Sequence, residues 1–215
     1  MPGAEAGERG RYAVTETQID SRRRTILDAA AEVIADDGVD GCTLAAVGRA
    51  SGCSVGMIQH HFGARSSLIG AALRQRLHES EEEWLSIARA EAEPMDRIRR
   101  LLVFAVHGDR PFLQAWSFWL ELYGAARRDP ALRAEINTAL EVWRRFFLDV
   151  LEEAHAGGLV SARRPARHQA QLLLALVDGL ALQAANGTYG LTGDDMLELL
   201  FDAASDLLGY EFARP

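Results

Sequence analysis

Apolar residues in this chain recur at intervals of three and four and nowhere alternate with polar ones, which confines it to helices. Ile26, Ala29, Ala30, Val33 and Ile34 form one such stripe, and Leu68, Ile69, Ala72, Leu73 and Leu77 form another. Stop and start signals fall between the stripes. Ser21 is placed to cap a first helix that ends at Asp37, with Gly38 as its left-handed stop. Thr43 caps a short second helix with Leu44 and Val47 turned inward, closed near Ser51-Gly52. Ser54 caps a third in which Val55, Ile58 and Phe62 mark the buried side, and Gly63 breaks it. A long fourth helix starts near Arg65 and runs to about Ala92. Further helices follow from Pro94, Pro111 and Asp129-Pro130, then one almost apolar all round from Leu172 to Ala185, and a last one from about Thr192 to Leu208. The expected fold is all-α, with about nine helices.

Residues 1–20 are small and polar and read as a disordered arm. Residues 21–64 make a three-helix helix-turn-helix unit, and 65–215 a larger helical domain, with 65–92 as the connector. No run of 18 apolar residues exists and the N-terminus has no signal-peptide pattern, so a cytoplasmic protein without membrane contact is expected. Cys42 and Cys53 are the only cysteines, and they suit small, partly buried hydrophobes.

The net charge of −8 opposes nucleic acid as a partner, but its distribution does not. From Gly41 to His78 there is no Asp or Glu, where an even spread would place about five. On the third helix, once the buried side is assigned, Ser54, Gly56, Met57, Gln59, His60 and His61 remain for the outer faces. A solvated helix face in an acidic protein would carry Glu; this one is clear for a polyanion. Adjacent histidines point about 100° apart and cannot share one metal well. His60 and His61 suit hydrogen bonds to phosphate, with a base edge also open to His60. A bland alternative for His61 is packing beside Phe62. No phosphate loop, HExxH, CxxC or glycine-supported Ser–His–Asp order is present, and His60, His61, His78, His107, His155 and His168 lie scattered. Neither catalysis, nor a metal, nor a cofactor is expected.

The segment "RRRTILDAAAEVIADDGVDGCTLAAVGRASGCSVGMIQHHFGARSSLIGAAL", Arg22 to Leu73, resembles the DNA-binding domain of TetR-type transcriptional regulators. It has the apolar first helix, Gly38, capping Thr43, turn Gly52, capping Ser54, His61-Phe62 and a basic residue at 65. "WLELYGAARRDPALRAEI" and "ALVDGLALQAANG" further resemble the BetI-type branch. The resemblance implies a regulator that binds a palindromic double-stranded operator as a homodimer and is released by a small-molecule effector. DNA contacts are then expected from Thr43, Ser54, Val55, Gly56, Met57, Gln59, His60, His61 and Arg65. Gln59 stands where many members have Tyr, and Arg65 where Lys is usual. Gln can pair with adenine N6 and N7, and Arg keeps the charge for a phosphate.

A two-fold dimer would pair the last two helices through Leu172, Leu173, Leu176, Val177, Leu180 and Ala184 on one, and Leu197, Leu200, Phe201 and Ala204 on the other. An ordinary core helix is the alternative. Phe112, Trp116, Trp119, Tyr123, Trp143 and Phe147 suit the walls of an effector chamber, with Gln114, Glu121, Gln183 and Asn186 as polar anchors. They equally suit a filled aromatic core, in which case the protein binds DNA or another protein and senses no small molecule. If Glu121 faces the tryptophans, a cationic ligand becomes attractive.

Overall fold

The computed structural model describes residues 5–108 and 110–214, with side chains from Asp20 onward. Among the described residues there are nine α-helices, one short 3₁₀ turn and no strand. They are α1 (Glu5–Gly41), α2 (Leu44–Ser51), α3 (Val55–Phe62), α4 (Arg65–Ala90), α5 (Pro94–His107), α6 (Phe112–Ala126), α7 (Pro130–Ala156), α8 (Ala166–Ala185) and α9 (Gly193–Leu208). No helix of the described residues is long and apolar enough to cross a membrane.

The chain forms two compact units, Met1–Gln75 and Arg76–Pro215. In the first, the expected stripe of α1 is buried at every position, together with Val47, Ile58, Leu68 and Ala72. This compact unit runs on to residue 75, because the first turns of α4 belong to its core. Leu68, Ile69, Ala72 and Leu73 are buried, and Gln75 Nε2 donates to Asp28 Oδ1 of α1 at 2.7 Å.

The arm expected over residues 1–20 is helical from Glu5 onward, and Ser21 lies inside α1 as a carbonyl acceptor for Thr25 Oγ1; residues 1–4 lie outside the described residues. Extending a formed helix needs far less than nucleating one, so a polar sequence without proline can continue α1 backwards. At the other end Gly38 breaks the helix with φ +76° and ψ 171°, a positive φ that suits glycine but not the left-handed helical stop expected.

The second unit packs α5, α6 and α8 against α7, with α9 against α5 and α8. Its core includes Ile98, Leu102, Phe147, Leu151, Leu173 and Phe201. Gln169 is fully buried but satisfied: Oε1 meets His155 Nε2 at 2.6 Å, and Nε2 donates to the Ser161 carbonyl at 3.1 Å. That node pins the α7–α8 connection to the start of α8.

Candidate DNA-recognition element and effector chamber

α2 and α3 form a helix-turn-helix built from short-range caps. Thr43 Oγ1 accepts from Ala46 N at 3.1 Å, and Ser54 Oγ accepts from Met57 N at 3.2 Å. Between them Gly52 adopts the left-handed conformation. Gly48 permits the close crossing: a Cβ there would stand 2.9 Å from the Cys53 carbonyl oxygen. Sequence reasoning passed over Gly48, although a glycine inside a helical stripe is the usual sign of such an approach.

Thr43, Ser54, Gly56, Gln59 and His60 are exposed, while Met57 and His61 are half-buried. Nothing lies within 4 Å of a Cβ placed on Gly56. Val55 departs from its expected burial. It is 44% exposed, because Ile58 and Phe62 alone close the inner side of so short a helix. The His60 and His61 rings meet edge-on with centroids 5.7 Å apart, and His61 lies 6.2 Å from Phe62. Phe62 carries the Arg23 guanidinium at 4.7 Å, a cation–π contact between α1 and the end of α3. Arg65 differs most from expectation. Its Nε donates to the Cys42 carbonyl at 2.9 Å and its Nη2 to the Val39 carbonyl, so the guanidinium is engaged by backbone. Cys42 is buried, and that burial pushes its thiol up to about 11, against the lowering influence of Arg65. It is unreactive near neutrality.

The second unit holds a cavity of about 90 Å³, room for several waters or one compact ligand. All four tryptophans of the chain, Trp84, Trp116, Trp119 and Trp143, line it. Trp84 stacks on Trp143 with centroids 4.3 Å apart, and Phe104 meets Trp84 edge-on. Trp116 Nε1 donates to the Ala105 carbonyl at 3.0 Å, which ties α6 to α5. Asp178 of α8 supplies the acid of the cavity and accepts from the Tyr123 hydroxyl. Burial raises the Asp178 carboxyl to about 6, opposed by the Tyr123 bond; Tyr123 is itself raised, by burial first and then by Asp178. Asp178 is half-buried beside the indole rings, and the same wall carries the buried Arg76, whose Nη1 pairs with Glu79 at 3.0 Å.

Trp116, Trp119, Tyr123 and Trp143 thus meet at one cavity as expected, but the rest of the set does not. Glu121 is exposed, two residues and about 200° round the helix from both Trp119 and Tyr123. Phe147 is core, edge-on to Trp143 at 4.8 Å, and Phe112 covers Gly193. Gln183 and Gln114 do not line the cavity, and Asn186 Nδ2 closes α8 on the Leu182 carbonyl. Two residues were missed. Asp178 is the one charged residue in the apolar run 172–185, and Trp84 is an isolated aromatic among Glu79, Glu81, Glu82 and Glu83. Both anomalies are visible without coordinates.

The expected pairing surface also changes. Leu173, Val177, Ala184, Leu197, Leu200, Phe201 and Ala204 are buried in the unit's own core. Packing of α8 against α6, α7 and α9, and of α9 against α5 and α8, uses those faces within the unit. Leu172 and Leu182 are exposed, Leu176 and Leu180 are half-buried, and Leu199 is exposed on α9. Gly179 lies on the outward side of α8 with nothing within 4 Å of its would-be Cβ.

Residues 26–72 match the bacterial regulatory proteins of the tetR family, and residues 94–209 match the C-terminal domain of BetI-type transcriptional repressors. The second match alone spans more than half of the chain. The chain belongs to the TetR family of ligand-responsive transcriptional regulators, in its BetI-type branch. The HTH-type transcriptional regulator BetI of Burkholderia thailandensis is 33% identical over 170 residues, 76% of this chain and 82% of that protein. BetI of Burkholderia mallei is 32% identical over 193 residues, covering 87% of this chain and 93% of its own length. Among solved structures, a transcriptional regulator from Saccharomonospora viridis in complex with choline superposes with a TM-score of 0.78 at 25% identity, over 85% of this chain and 95% of that one. A TetR-family regulator from a Rhodococcus species gives 0.76 at 27% identity, over 88% and 99%.

Proposed function

We propose that this TetR-family protein is a repressor that holds a palindromic operator as a homodimer and leaves it when a small organic cation enters the chamber. The observation that carries the effector class is the Asp178 carboxylate within a cavity lined by four tryptophans, where Arg76, the one cation among the described residues of the wall, is already paired with Glu79. Aromatic faces with one anionic group favour a quaternary ammonium, whose charge is spread over methyl groups and which makes no hydrogen bonds of its own. The choline held by the Saccharomonospora viridis relative supports the same class. The small volume favours a compact cation over a long acyl chain. This is a binding role exercised in the cytoplasm, with no catalytic step.

On the DNA side, the α2 and α3 N-termini direct amides and the Thr43 and Ser54 hydroxyls towards phosphate, while Gly56, Gln59 and His60 address base edges. His61 is placed to donate to phosphate from its half-buried position. Two copies paired through the outward face of α8 would set two such elements about 34–36 Å apart on one face of the duplex. α4 starts at Arg65 and lines the chamber with Leu77, Ser80 and Trp84, so a ligand that moves it acts on the DNA-binding end. That coupling requires the ligand to prefer the released state, whatever its affinity.

Two measurements test the reading. Because every tryptophan lines the chamber, intrinsic fluorescence reports on it alone; titration with choline and with tetramethylammonium should change the emission and saturate. Genomic fragments selected on the purified protein, then footprinted, should contain a palindrome whose binding weakens steeply with salt. Emission indifferent to both cations would remove the effector class, and absence of enrichment would remove the operator.

A further inference from the structure

Arg65 begins α4, yet its guanidinium reaches back to the connection between α1 and α2. Nε and Nη2 form one edge of the fork and hold two carbonyls together, those of Cys42 and Val39. The Val39 carbonyl also accepts from Cys42 N at 3.2 Å, and Thr43 N donates to the Gly41 carbonyl at 2.7 Å. These residues follow the break at Gly38 and directly precede Thr43, the cap of α2. The fork gives the Cys42 carbonyl a donor and the Val39 carbonyl a second one beside Cys42 N. Asp40 lies 3.9 Å from Nη2, but its side chain is 96% exposed, so that pair adds little. The carbonyl bonds are the anchor.

We propose that Arg65 serves DNA binding as a positioning residue. It fixes the N-terminus of α2, and with it the Thr43 hydroxyl and the first amides, at the place where a phosphate is met, and does not itself neutralise one. The clamp ends on the Cys42 carbonyl, one residue before the cap. A displacement of α4 is therefore passed to the phosphate-facing end of α2 without any ligand touching it. The inference rests on the DNA-binding reading above. It also explains why Arg stands here: a lysine ammonium keeps the charge but cannot span two carbonyls with one rigid edge.

The test uses the full chain and a duplex of about 40 base pairs cut from the fragment most enriched by the wild-type protein, a length that covers a two-half-site operator with flanks. Anisotropy titrations over a salt series give affinity and its salt slope for wild type, Arg65→Lys and Arg65→Gln, below the melting midpoint of each. The expected result is a similar loss for both variants, about tenfold or more, with a slope equal to that of wild type, because no phosphate charge has been removed. Wild-type affinity in Arg65→Lys, with the slope reduced by about 0.9 only in Arg65→Gln, would make Arg65 a direct phosphate contact and overturn the proposal. Wild-type affinity in both would leave it a folding residue and overturn it equally. If Arg65→Gln does not fold, the cycle of Thr43→Val with Arg65→Lys decides. Positioning predicts that the double variant loses much less than the product of the single losses, and independent losses would refute it. A wild-type protein that enriches no fragment would instead remove the DNA-binding reading itself.

Discussion

Two single residues separate what the fold needs from what the ligands need. Gly56 has open space where a Cβ would stand and a backbone any residue can adopt. Gly56→Ala should leave the thermal midpoint unchanged or raise stability by about 0.5 kcal/mol through helix propensity. Under the proposed DNA contact the same methyl would face the groove, so operator affinity should fall about tenfold, the cost of an extra methyl in a tight contact. Calorimetry beside anisotropy checks both halves. Asp178 separates them in the opposite direction. Its folded pKa of about 6 lies above its unfolded value, so the folded state binds the proton more strongly. Stability from this group is therefore highest below about pH 4 and is lost as pH rises to about 6, a change on the order of 3 kcal/mol. Asp178→Asn should accordingly raise the midpoint at pH 7.5. It should also abolish cation binding, whose affinity in the wild type should fall about tenfold for each pH unit below 6. Calorimetric titration with choline between pH 5 and 8 measures that slope; a flat profile would place the cation away from Asp178.

At the scale of elements, the crossing of α2 and α3 depends on Gly48. A Cβ there would meet the Cys53 carbonyl oxygen at 2.9 Å, and backbone cannot rotate out of the way. Gly48→Ala should cost about 1–3 kcal/mol in urea unfolding and weaken DNA binding by displacing α3. The ends of these elements were legible because caps are local. Thr43, Ser54, Asp129 and Thr192 each accept from a backbone amide two or three residues on, and Gly52 and Gly209 take the left-handed conformation. The start of α1 was not legible, since propagation from Ile26 backwards depends on the helix already standing. Val55 was misplaced for a related reason. Periodicity states which residues share a face, and only the neighbouring helices decide how wide the buried part of that face is.

At the scale of the whole molecule, the outward side of α8 is the face through which the proposed dimer would form. Leu172, Leu176 and Leu180 flank Gly179, whose missing side chain leaves room for a second helix to come close. A pairing helix would recover the cost of a mid-helix glycine, about 1 kcal/mol, by packing on it. Gly179→Arg should give a folded monomer by analytical ultracentrifugation and lose operator affinity by about 100-fold or more, as a single element has too few contacts to specify a site. A dimer that survives this change would put the interface elsewhere. The fully buried faces of α8 and α9 show why apolar content alone does not separate interface from core. An interface stripe and a core stripe have the same composition.

Helix type and order, the capped helix ends, and the acid-free stretch from Gly41 to His78 belong to the sequence itself, because periodicity, caps and charge are properties of neighbours along the chain. Which leucines of α8 face inward, whether Glu121 or Asp178 meets the tryptophans, and where the Arg65 fork is engaged were decided by tertiary structure alone. Each depends on which face of a helix, or which end of a side chain, meets another element. That choice is made by a partner element distant in the chain, which no local pattern records.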